Sequence, residues 1–139
     1  MRLVLLRLDL ALRDGPLGAV RELMKPGGTI TVEHVLPQKP AEGSRWLRDF
    51  PDAGEREELT HALGNLVLLP MRKNARAANV DFEEKRNTYF CNRDRTSSVP
   101  EFALTSLMMR YGVWTPEVLR KHQLELLRVL YGPKGWRLE

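Results

Sequence analysis

Thr29-Ile30-Thr31-Val32-Glu33-His34-Val35-Leu36-Pro37-Gln38 decides how this chain is read. Four consecutive β-branched residues after Pro26-Gly27-Gly28 predict a strand over 29–32, with His34 at its end. A second apolar run, Asn65-Leu66-Val67-Leu68-Leu69, is short enough for a strand and is closed by Pro70. Asn65 follows His34 by 31 positions, and Asn74 follows nine positions later. Between the two runs, 37–64 is a polar, charge-rich excursion. Trp46, Leu47 and Phe50 predict a small helical plug there, and 56–63 a second short helix. After the second run, 72–78 holds strong helix formers. Asp81 and Glu84 then form a capping-box variant opening a helix to about Phe90.

Outward from this centre the chain is helical. Leu3, Leu6 and Leu10 repeat at helical spacing, which predicts a helix over about 2–13, ended by Asp14-Gly15-Pro16. A short helix over 18–25 follows. On the other side, 92–100 reads as a loop and 102–111 repeats helically. Thr115-Pro116 caps a last helix to about Leu130, with Val118, Leu119, Leu126, Leu127 and Leu130 as its apolar stripe. The fold class is α+β, mostly helical, around one central hairpin and helix. We read 1–139 as one domain, with a core over 29–90 and helical flanks over 1–28 and 91–139. It is expected to be excised from a longer protein.

Composition sets limits on function. The chain has 139 residues, 42% of them hydrophobic, enough for a core in one domain. Its net charge of +4 admits a polyanionic partner without demanding one. Arg outnumbers Lys sixteen to six; a GC-rich genome is the first explanation, and bidentate phosphate contact the second. Cys91 is the only cysteine, which leaves no internal disulfide or thiolate zinc site and fits a reducing cytoplasm. The apolar stretch 3–12 is broken by Arg7 and Asp9 and is too short to span a bilayer. No membrane partner is expected.

Phosphodiester hydrolysis needs an activated water, a cation on the developing charge and fixed donors. His34 suits the first task because imidazole titrates near neutrality. Glu33 and the carbonyl of Asn74 are hard oxygen ligands for Mg²⁺ or Mn²⁺, with water and phosphate completing an octahedron. Glu33 alternates away from His34 if the strand continues; a bend at His34 or Pro37 would bring both to one place. Asn65 could hydrogen-bond the His34 ring and fix its tautomer. A hairpin packed on a helix could gather His34, Asn65 and Asn74.

These residues carry a resemblance. The chain resembles the HNH nucleases of the His-Me finger superfamily, whose core is a ββα-metal motif. More closely, it is similar to the C-terminal nuclease domain of GmrSD-type, modification-dependent restriction proteins. The stretches that match are 31–38, Trp46, 61–69, Asn74, Asn79, 82–85, Tyr89 and Trp114-Thr115, so the resemblance covers most of the chain. It implies that His34 is the general base, that Glu33 and Asn74 hold the metal and that Asn65 orients the base. It places Lys85 where a lysine meets phosphate. It implies an endonuclease acting on DNA, the effector of a prokaryotic anti-phage protein whose separate N-terminal NTPase-like domain or subunit is the sensor. The alternatives are a catalytically dead nucleic-acid-binding module on the same fold, and an RNA-cleaving effector. Glu33 stands where Asp is commoner. Arg120-Lys121-His122 falls where the family has an Arg.

Plainer readings stand beside these. His61 fits a histidine at a helix C-terminus, favoured by the dipole, with contact to the site as the alternative. Lys85 fits a solvated charge as well as a phosphate ligand. Asn79 reads as a turn residue. Trp46, Trp114 and Trp136 read as core or lid residues, and Cys91 as a half-buried thiol. Arg72, Lys73 and Arg76 form the DNA-backbone candidate, with a solvated helix face as the plain reading.

Overall fold

The computed structural model describes residues 1–13, 30–71, 76–90 and 102–133. The readings made for 18–25, Arg72, Lys73, Asn74, Cys91, 92–100 and Trp136 lie outside these residues. The order of elements is helix α1 (Arg2–Arg13), strand β1 (Ile30–His34), helices α2 (Arg45–Asp49) and α3 (Ala53–Thr60), a 3₁₀ turn (Leu63–Asn65) and strand β2 (Leu66–Pro70). Helix α4 (Phe82–Glu84) widens directly into a π turn (Lys85–Phe90), α5 (Ala103–Ser106) tightens into a 3₁₀ turn (Leu107–Arg110), and α6 (Pro116–Leu130) follows. The fold is α+β: mostly helical around one small antiparallel sheet of two strands. No helix of the described residues is long and apolar enough to cross a membrane.

The sheet is buried on both faces, which is why β2 is apolar throughout instead of alternating. Ile30, Leu66 and Leu68 join Leu5, Leu6 and Leu8 of α1 and Leu126 and Leu130 of α6 in one cluster. Val67 and Leu69 face a second cluster containing Trp46, Phe50, Phe82, Trp114 and Leu119. The register pairs Val32 with Leu68, Glu33 with Val67 and His34 with Leu66. Directly paired residues share a face, so Glu33 points into the second cluster and His34 to the other side. β1 ends at His34, and the chain bends at Val35 and Leu36.

Helix boundaries follow their caps. Asp52 accepts the Glu55 amide hydrogen at 2.7 Å, so α3 opens at Ala53, ahead of the 56–63 expected. Thr115 caps α6 with Pro116 in the first turn, as read from sequence. Asp81 occupies the N-cap of α4 but makes no side-chain cap bond, so the capping box is not formed. Asp9, buried in α1, accepts the Leu104 amide hydrogen at 3.0 Å and ties α1 to the start of α5. Gly64 lets α6 approach closely: a Cβ there would lie 2.9 Å from the Gln123 Cα. The Gly64 amide instead donates to Gln123 Oε1 at 2.8 Å.

Candidate active site

His34 is the last residue of β1 and is half-buried. Burial pushes its pKa below the ordinary histidine value, and the neighbouring His61 and Lys85 push it further. The neutral ring is therefore the favoured form near neutral pH. Gln38 Nε2 lies 3.1 Å from His34 Nε2. A carboxamide nitrogen only donates, so this ring nitrogen presents a lone pair. His61, just past the end of α3, meets His34 edge to face with ring centroids 5.8 Å apart. His61 thus sits at the C-terminus of α3, as the plainer reading has it, and also touches the His34 ring.

Glu33 and Lys85 form a buried ion pair. Lys85 Nζ sits 3.0 Å from Glu33 Oε1 and donates to the His34 carbonyl at 2.7 Å. Lys85 has no exposed surface, and its ammonium stands 5.9 Å from the centre of the Trp46 ring. Burial pushes the Lys85 ammonium down and the Glu33 carboxyl up, each partly offset by the other's charge. The expected phosphate contact of Lys85 is not what the geometry holds. Placed on the first residue of the π turn, this side chain reaches inward to β1, and no part of it faces solvent.

Asn65 also differs from expectation. It has no exposed surface, and its side-chain hydrogen bonds go to groups other than the His34 ring. Its Oδ1 accepts from the Leu36 amide at 2.7 Å and from Trp114 Nε1 at 3.2 Å. Its Nδ2 donates to the carbonyls of Leu36 and Thr60, both at 2.9 Å. All four hydrogen-bonding positions of the carboxamide are thus filled. Asn65 reaches the segment after His34 through its backbone, where the carboxamide clamps the turn that follows β1. The Val35 amide, bonded to the Asn65 carbonyl at 2.8 Å, completes the clamp.

Among the described residues, no group of three or more His, Cys, Asp or Glu could hold a metal ion. Glu33 is the one described carboxylate of the expected pair of oxygen ligands, and a cation already balances it. The described donors alone therefore do not complete an ion site; Asn74 lies outside them. Arg76 is exposed.

Sequence reasoning gave no role at the site to Gln38, and to Trp114 only a core or lid role. Gln38 was legible only as a neighbour of His34. Trp114 was legible as core, and it is buried as expected, together with Trp46. Its indole nitrogen reaching Asn65 has no local signal. His122, in the stretch where an Arg was expected, is wholly buried, with the Tyr111 hydroxyl 2.7 Å from Nδ1. Burial drives its pKa to about 4, so it packs as a neutral ring against Trp114.

An open cleft of about 380 Å³ lies beside His34, with Gln38 and His61 at its edge. No curated protein and no solved structure matches the chain. The family model described as the C-terminal domain of GmrSD restriction endonucleases matches residues 1–129. That span takes in the strand pair, His34 with its clamp, the Glu33–Lys85 pair and nearly all of α6, and the chain belongs to this family of restriction endonuclease C-terminal domains.

Proposed function

We propose that this domain is a metal-dependent endonuclease that hydrolyses DNA phosphodiester bonds, the effector of an anti-phage restriction protein with a separate N-terminal sensor domain or subunit. The observation that carries the reading is His34: a half-buried ring at a strand end, pushed toward its neutral form, with Gln38 on its Nε2 and His61 against its ring. In this reading β1, β2 and the segment after β2 form the ββα-metal motif of the His-Me finger nucleases. His34 takes the proton of the attacking water as that water bonds to phosphorus, and an ester oxygen departs. Lys85 and Asn65 hold the backbone on either side of His34, one at its carbonyl and the other at Leu36. Dependence on Mg²⁺ or Mn²⁺, with Glu33 and Asn74 as ligands, belongs to the reading on the strength of the family and the hard-oxygen chemistry of those side chains. Arg72, Lys73 and Arg76 are the proposed DNA-backbone contacts.

The test is plasmid nicking by the purified domain with Mg²⁺, Mn²⁺ or EDTA. His34→Ala should lower the rate by about 10²–10⁴-fold, the contribution of a general base. DNA binding and the unfolding midpoint should stay near wild type. Nicking should stop in EDTA. Wild-type rates from His34→Ala would refute the assignment.

A further inference from the structure

Proton transfer at His34 uses none of the cleft that opens past Gln38 and His61. At about 380 Å³ it is the size of a small-molecule site. Pro40, Leu47 and Ala53 give it aliphatic surface; Gln38, Arg56, Glu57 and His61 give it polar groups. Its wall is built in advance of any ligand. Asp52 caps α3, and Arg56 Nη1 donates to the Phe50 carbonyl at 2.6 Å, which ties α3 to the end of α2. Gln38 and His61 belong both to the cleft and to the surroundings of His34.

We propose that this cleft binds the nucleobase of a nucleotide next to the scissile phosphodiester. The proposal rests on the nuclease reading for its position in the substrate. Its chemistry rests on the cleft. Aliphatic surface with a few convergent polar groups suits a flat heterocycle, which is held by apolar contact and read along its edge. The Gln38 carboxamide both donates and accepts, as a base edge requires. Glu57 favours the exocyclic amine of a base and disfavours a phosphate. Gln38 also gives the cleft a link to catalysis. With the cleft empty its amide caps the His34 lone pair; turned toward a base, it would leave that lone pair to the attacking water.

The test titrates the isotope-labelled 139-residue chain with each deoxynucleoside 5′-monophosphate and follows its amide resonances. A mononucleotide has no phosphodiester to cut, so the titration reads the cleft whether or not the chain is a nuclease. Shifts should centre on Gln38, Glu57, Thr60 and His61 and differ among the four bases, and inorganic phosphate should not reproduce them. Ala53→Trp should fill the cleft from its exposed edge and weaken binding by roughly tenfold or more. The smaller Ala53→Leu should weaken it less, and it serves as the readout if the indole disturbs α3. Shifts centred elsewhere, shifts reproduced by phosphate alone, or undiminished affinity in the folded Ala53 variants would overturn the proposal.

Discussion

In the proposed mechanism His34 acts as a base only while its ring is neutral, and its surroundings favour that form. Burial, His61 and Lys85 all act against the imidazolium. The acid limb of the kcat/KM profile should therefore lie below the ordinary histidine value of about 6.5. His61→Asn removes one of those influences and so favours protonation of His34. Its pKa rises, and the acid limb moves to higher pH. A limb that stays or moves down would deny the coupling between the two rings. Lys85 invites a different substitution. Lys85→Met leaves the Glu33 carboxylate buried without its partner, which should cost about 3–5 kcal/mol in urea unfolding at neutral pH. The sign with pH follows from Glu33. Its folded pKa is already raised by burial, and losing the ammonium raises it further. The folded variant therefore binds a proton more tightly than the unfolded chain, and its deficit should shrink as pH falls through the mildly acidic range. Glu33→Gln in the same chain should recover part of the loss. If Lys85→Met were as stable as wild type, Lys85 would not be the partner of a charged Glu33.

At the scale of elements, the 3₁₀ turn before β2 and the turn after β1 behave as one unit because a single carboxamide joins them. Asn65→Ala would strip partners from two buried N–H groups and two buried carbonyls. An unsatisfied buried polar group costs about 1–3 kcal/mol, so the variant should lose at least 2 to 3 kcal/mol, roughly, in denaturant unfolding. A loss of rate with full stability would instead return Asn65 to the orienting role at the His34 ring that its spacing suggested. Why the spacing misled is physical. An Asn that caps a turn and an Asn that steers a histidine are the same residue in sequence, and the distant Trp114 and Thr60 decide between them. Lys85 was hidden in the same way. In Glu83-Glu84-Lys85-Arg86 it reads as one more solvated charge, and only the π turn, packed on β1, buries it. Local signals did better where they were sufficient. Thr115-Pro116 and the apolar stripe gave α6 almost to the residue, because a helix with its cap and face written in sequence needs no distant partner. The β-branched run gave β1 its beginning, but pairing with Leu66 carried the strand on through Glu33 and His34, which have little strand preference of their own.

For the whole molecule, the question is how a domain with a net charge of only +4 holds a polyanion. Not all of its basic residues are available for it. Lys85 is buried in its ion pair, and Arg110 and Arg120 are paired with Glu125 and Glu55. The proposed track is Arg72, Lys73 and Arg76, on the segment that follows β2. Contacts of that kind neutralise phosphates and release counterions, so log affinity should fall linearly with log salt, by about 0.9 per phosphate on duplex DNA. Binding should accordingly be weak, insensitive to sequence and strongly salt-dependent. The measurement is fluorescence anisotropy of a short duplex over a salt series. The His34→Ala chain is the background, so that no substrate is lost to cleavage. Arg72→Gln, Lys73→Gln and Arg76→Gln together should flatten the slope by up to about three. Lys85→Met should leave the slope where it was, because an ammonium with no exposed surface displaces no counterion. A slope unaltered in the triple variant would make that segment a solvated face. A slope flattened by Lys85→Met would mean that the ion pair opens to let this lysine reach the backbone of DNA.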